Sequence, residues 1–308
     1  MLLVIKDPHF RYGLSKPTSR TKNFFNQIDY KLERLIELAK ELKVKNLAIA
    51  GDVFDVKSPL KYNLLVLKAI EARLEKLKGW FENIYTIAGN HDLPYASIEN
   101  IKDSVYWYFA QKGYFTDTAF KPISLTPQID IVGIPYIGEA SQTLPELKRL
   151  KLRKNTLLML HIYALPNSSY QIPKLDTATY QELVELLPKE VKGVILGHLH
   201  KGFAPQKVNG VVFVNGWAFT RLTRDYYTLN NKHQPEAVLI DDNLNATPFI
   251  IPHAPYKEAF TTNILYDKKS IELKDLKESL VNFTINETPP PPKEIKALVE
   301  HYLELAKN

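Results

Sequence analysis

Apolar residues along the chain fall into two alternating patterns. Short continuous runs occupy residues 1–6, 46–50, 84–88, 129–134, 156–160, 193–196, 211–214, 237–240 and 249–251, and runs of this length read as buried strands. Between them lie stripes at helical spacing. Leu32, Leu35, Ile36, Ala39 and Leu42 predict a helix over residues 29–42, and Leu64, Leu67, Ile70, Leu74 and Leu77 predict a second, with Pro59 near its start. Ile98, Ile101, Val105, Tyr108 and Phe109 predict a third over 97–112, and residues 176–187 read as a fourth, closed by Pro188. Residues 288–292 are proline-rich and cannot be helical; beyond them Ile295, Leu298, Val299, Tyr302, Leu303 and Ala306 form a last helical stripe. No internal repeat is present. Strands alternating with helices imply a layered α/β protein.

Composition narrows the chemistry. The 308 residues are 45% hydrophobic and 24% charged, an ordinary globular profile, and the absence of cysteine excludes disulfides and thiolate metal sites. No apolar stretch approaches the ~20 residues of a membrane span, and the N-terminus is too short for a signal segment, so a cytoplasmic protein without a membrane is expected. The formal charge of +6 favours an anionic partner. Residues 10–26 interleave Arg11, Lys16, Arg20 and Lys22 with Phe10, Tyr12, Phe24 and Phe25. That loop has the composition to grip a phosphate backbone and stack on bases, or to be a solvated loop with anchoring aromatics. Lys148, Arg149, Lys151, Arg153 and Lys154 form a second basic cluster, which reads first as a solvated face.

Candidate ligands gather at strand ends, where α/β proteins collect function. Five runs end in them: Asp7 with His9, Asp52, Asn90 with His91, His161, and His198 with His200. On an extended segment residues two apart point to one side, so His198 and His200 can reach one small volume; alone, such a pair could equally be hydrogen-bonded surface histidines. Taken together, the set has what a two-metal hydrolytic site needs, with Asp52 as candidate bridge. Two divalent cations polarise a phosphoryl group and lower the pKa of a shared water.

The motifs Asp7-Pro8-His9, Gly51-Asp52-Val53-Phe54-Asp55, Gly89-Asn90-His91-Asp92, His161 and Gly197-His198-Leu199-His200 resemble those of the calcineurin-like metallophosphoesterases over about residues 1–250. The resemblance implies a β-sandwich flanked by helices with a dimetal site on one edge. It implies Asp7, His9, Asp52 and His200 on one metal, and Asp52, Asn90, His161 and His198 on the other. His91 would face the scissile phosphate, oriented by Asp92, and glycines 51, 89 and 197 would let the chain turn sharply. Within the superfamily the pattern is most similar to SbcD-type DNA nuclease subunits, and the chain's length suggests a minimal or phage-encoded version acting in the host cytoplasm. That likeness implies a manganese-dependent DNA exo/endonuclease working with an SbcC-like ATPase, and it admits a homodimer. Residues 1–265 would form the nuclease domain and residues 266–308 a helical segment that either docks the partner or packs back on its own domain. Arg11, Arg20, Lys22 and Arg221 are the candidate DNA contacts. One departure concerns Arg221: SbcD-like chains commonly carry Gly-Ser before this arginine, whereas here Gly216 is followed by Trp217. The competing readings are a phosphatase or cyclic-nucleotide phosphodiesterase on the same scaffold, and a catalytically silent scaffold that binds DNA or an ATPase.

Overall fold

The computed structural model describes residues 1–55, 63–170, 175–224, 226–230 and 232–261. Pro59, the proline-rich stretch and the C-terminal stripe lie outside the described residues. In chain order the elements are β1 (Leu2–Ile5), α1 (Phe24–Glu41), β2 (Asn46–Ile49), α2 (Leu64–Lys78), β3 (Asn83–Thr86), α3 (Val105–Gln111), β4 (Thr116–Asp117), β5 (Ile123–Ser124), β6 (Ile129–Ile134), α4 (Ala140–Leu147) and β7 (Asn155–Ile162). There follow β8 (Ala164–Leu165), β9 (Ala178–Thr179), α5 (Tyr180–Leu186), β10 (Val191–His198), β11 (Phe203–Val208), β12 (Val211–Asn215), α6 (Tyr226–Leu229), β13 (Glu236–Ile240), β14 (Ala246–Ile250) and α7 (Tyr256–Ala259).

Two six-stranded sheets form the centre, ordered β14-β13-β1-β2-β3-β4 and β11-β12-β10-β7-β6-β5. β1 to β4 run parallel, as do β6, β7, β10 and β12, with antiparallel strands confined to the margins. The apolar runs are continuous because these strands are buried on both faces. On β1, Leu2 and Val4 meet the other sheet while Leu3 and Ile5 meet the helices α1 to α3. On β7, Leu157 and Met159 face inward between the sheets, and Leu158 and Leu160 pack under α4 and α5. The result is a mixed α/β sandwich with helices on both outer faces, as the motifs imply.

Several local expectations shift. α1 begins at Phe24, five residues before the predicted start at residue 29, with Phe24 fully buried. α2 seats on Val66, Ile70, Leu74 and Leu77, while Leu64 is 66% exposed. The third helix breaks in two. A 3-10 segment covers Ile98–Asp103, and Ser104 then caps α3 by accepting the Trp107 N–H at 2.9 Å. Restarting there rotates the buried face, so Tyr106 is inside and Tyr108 is 39% exposed. The fourth helix starts at Tyr180, where Thr179 and Glu182 form a capping box. All five basic residues of the 148–154 cluster are exposed.

Candidate metal centre

Asp7 and His9 follow β1, Asp52 follows β2, Asn90 and His91 follow β3, His161 is the penultimate residue of β7, and His198 ends β10. Parallel order within each sheet carries all of them to the same edge. The backbone turns abruptly there: Asp7, His9 and Asp52 each have φ near 48° and His198 has φ 82°. These left-handed conformations cost ~1–2 kcal/mol apiece for ordinary residues, less for Asp and His, and gather at functional sites. His198 therefore does not continue an extended strand, and the two histidines part company. His200 joins Asp7, His9 and Asp52; His198 joins Asp52 and His161. In each group the oxygen and nitrogen atoms lie within 4.8 Å of one another.

In the first group His9 Nε2 and His200 Nε2 face each other at 3.0 Å, and His9 Nε2 is 3.7 Å from Asp52 Oδ2. In the second, His161 Nε2 is 3.4 Å from Asp52 Oδ1 and 3.2 Å from Asn90 Oδ1. The other His161 nitrogen, Nδ1, sits 3.0 Å from the Ala50 carbonyl, which aims Nε2 into the site. Asp52 thus belongs to both groups, and its Oδ1 also accepts the His91 N–H at 2.7 Å. Of the three glycines, only Gly51 has a left-handed φ, 82°. Gly89 is needed for closeness, because a Cβ there would stand 2.1 Å from Asp52 Oδ1.

His91 has a different partner from the one expected. Its Nδ1 lies 2.9 Å from Asp55 Oδ1, and Arg11 Nη1 donates to Asp55 Oδ2 at 2.7 Å. Asp92 points away, accepting the N–H groups of Val53, Phe54 and Gly89 at 3.1, 2.7 and 2.8 Å. It braces the loop that carries Asp52; Asp55 orients His91. His91, His9 and Asp55 form a third close group, with the His9 and His91 rings edge to face at 4.6 Å.

Burial opposes charge throughout, and the neighbours decide each outcome. Desolvation would raise Asp52, yet His161, His91 and His9 hold it well below the usual carboxylate range. Asp55 is likewise held low, mainly by its hydrogen bond to His91. Burial depresses His9 and His198, which keeps them neutral and able to donate a lone pair. His161 is raised to about 9: burial acts against its charge, and the adjacent Asp52 carboxylate overcomes it. Divalent cations fit this donor set. Asp7 Oδ2 and His9 Nδ1 are buried with no hydrogen-bond partner among the described residues. Such a carboxylate oxygen is costly unless a cation meets it, and a set of oxygens and imidazoles suits borderline divalent ions.

The four candidate nucleic-acid contacts separate. Lys22 is exposed and Arg11 is half-buried against Asp55. Arg20 and Arg221 are interior residues, each 3% exposed. Arg20 donates to the Arg221 carbonyl and Gln27, Arg221 to the Ala254 carbonyl, and the Arg20 guanidinium lies 4.6 Å above the Phe260 ring. They hold the 219–222 and 254–260 segments against α1 and offer no surface to a phosphate backbone. Two aromatics enter the site without a motif to announce them: the Tyr163 and Tyr136 rings lie 3.9 and 5.6 Å from the His198 ring.

Residues 2–202 match the calcineurin-like phosphoesterase family, and the chain belongs to it. Enzymes of this family are metal-dependent hydrolases, in keeping with the ligand groups above. The chain is 28% identical over 213 residues to the DNA double-strand break repair protein Mre11 of Methanosarcina mazei, an alignment covering 65% of this chain and 30% of that protein. The chain thus spans under a third of that relative's length. Among solved structures, TT1561 of Thermus thermophilus aligns with a TM-score of 0.48 and 12% identity, over 82% of this chain and 98% of that one. Among the described residues no helix is long and apolar enough to cross a membrane.

Proposed function

We propose that this chain is a DNA exo/endonuclease that hydrolyses phosphodiester bonds at DNA ends with two divalent cations, manganese foremost. The observation that carries the reading is the pair of ligand groups sharing Asp52, with His91 set beside them and held by Asp55. The likeness to a DNA double-strand break repair protein supports DNA as the substrate, and the net charge of +6 is consistent with it.

Asp7, His9, Asp52 and His200 would hold one cation and Asp52, Asn90, His161 and His198 the other. The pair would polarise the phosphoryl group and neutralise charge developing on it. The chain's own contribution is placement. His91 turns Nδ1 to the Asp55 carboxylate, which leaves Nε2 to stabilise the phosphate or give a proton to the leaving oxygen. Arg11 fixes the second Asp55 oxygen and so the plane of that carboxylate. Lys22 and the exposed part of Arg11 are the candidate backbone contacts.

An SbcC-like ATPase is the proposed partner, docked through the amphipathic stripe in residues 266–308. The deciding experiment offers manganese-loaded protein end-labelled linear DNA and an aryl phosphomonoester side by side. A nucleotide ladder from the DNA supports the reading. Turnover of the monoester alone refutes it in favour of a phosphatase.

A further inference from the structure

Lys6 stands immediately before Asp7 and is 3% exposed, a cation placed where β1 runs out between the two sheets. Its ammonium crosses to the other sheet. It donates to the Leu199 carbonyl, to the Lys201 carbonyl at 3.4 Å and to Asn215 Oδ1 at 2.5 Å. An ammonium has three hydrogens, and here three acceptors surround it. Leu199 and Lys201 flank His200 in a segment that has left the β10 ladder. Asn215 is itself pinned, its amide donating to the Ala164 carbonyl and the Tyr180 hydroxyl, both at 3.2 Å. The loop after β12 completes the clamp: the Ala218 N–H bonds the His200 carbonyl at 3.1 Å and the Phe219 N–H bonds the Lys6 carbonyl at 2.9 Å.

Burying an ammonium is costly, and an apolar side chain of similar length would fill the same space without that cost. What lysine adds is a tie from the strand end bearing Asp7 and His9 to the carbonyls on both sides of His200. Because His9 and His200 approach at 3.0 Å through their Nε2 atoms, a small drift of the 199–201 segment would open that pair. We propose that Lys6 is a positioning residue for the metal centre, setting the His200 imidazole against Asp7 and His9. The proposal rests on the reading of that cluster as a metal site.

Calorimetric titration of the full chain with manganese chloride tests it. The wild type should bind two ions. Lys6→Met should weaken one of them by about 10–100-fold, the usual effect of removing a group that orients a ligand, and leave the other near wild type. In a His200→Ala background Lys6→Met should cause no further loss, since Lys6 acts through His200. Asn215→Ala, which frees one ammonium hydrogen without burying a new charge, should weaken the same ion by a smaller factor and serves if Lys6→Met does not fold. Equal weakening of both ions, additive loss in the His200→Ala background, or an unchanged isotherm in the variants would overturn the positioning role. A wild-type chain that binds one ion or none would overturn the metal-centre reading itself, and the proposal with it.

Discussion

Gly89→Ala is the sharpest probe of how closely the loops after β2 and β3 approach each other, and His161 of the other sheet, at the site. A Cβ at this position would lie 2.1 Å from Asp52 Oδ1, 2.3 Å from the Asp52 backbone nitrogen and 2.7 Å from His161 Cε1. Reaching ordinary contact near 3.4 Å requires shifts of about 1.3, 1.1 and 0.7 Å. The Asp52 nitrogen cannot yield by a side-chain rotation, so the left-handed turn at Asp52 must move as a unit, taking with it the carboxylate common to both ligand groups. Overpacking of this kind costs ~1–3 kcal/mol. At ~2–4 °C per kcal/mol for a chain of this size, melting should fall by roughly 2–12 °C. Misplacing reactive groups by an ångström costs ~10²-fold in rate, so cleavage should fall further than stability. Scanning calorimetry in chelator isolates the packing effect, and manganese titration plus cleavage of end-labelled DNA reads the site. Gly79→Ala is the control, since its Cβ would meet nothing nearer than 3.3 Å and its φ is −62°. If Gly89→Ala melted and bound manganese as the Gly79→Ala control does, the close-approach argument would be wrong.

His91→Asn should leave manganese and DNA affinity near wild type while cleavage falls by ~10²–10⁴; loss of metal in the same variant would make His91 a ligand. Asp55→Asn should keep the metals and lower kcat, because His91 loses the carboxylate that fixes its tautomer, and an unchanged rate would remove Asp55 from the mechanism. Stability should also decline in mild acid. Burial, aided by Arg221 and Lys31, lowers His253 to about 4, and burial depresses His233 as well. The folded chain therefore keeps both neutral while the unfolded chain takes up protons below about pH 6.5, so their stabilisation is full above that pH and lost as pH falls toward 4. His253→Asn should flatten the melting-temperature profile across this window, and an identical profile would contradict the assignment.

The sandwich and the edge where the candidate ligands gather were readable because both rest on short-range signals. Strands buried on two faces leave unbroken apolar runs, and ligands at their ends leave motifs. What escaped depends on distance in three dimensions. Asp55 lay within a motif, but only the fold shows that it, and not Asp92, reaches the His91 ring. Arg20 and Arg221 look like surface cations in sequence; backbone carbonyls and the Phe260 ring accept them in the interior. Strand β11 was missed because it is an edge strand interrupted by Pro205, with none of its residues buried and so no continuous apolar run. The break at Ser104 was hidden by a stripe that continues across it, although the serine was a cap signal in plain view.

The ligand groups draw on both sheets. Asp7, His9, Asp52 and Asn90 come from the ends of β1, β2 and β3; His161, His198 and His200 come from the ends of β7 and β10. An ion held by such a set is a cross-link as well as a reagent, fastening one half of the sandwich to the other at the edge where the chain is most contorted. Its contribution to folding would grow with the logarithm of its free concentration, ~2.7 kcal/mol at a hundred times the dissociation constant. The durability of this fold would then be a property of the surrounding medium, and a cell that withdrew the metal would loosen the protein at the same moment that it silenced the proposed site.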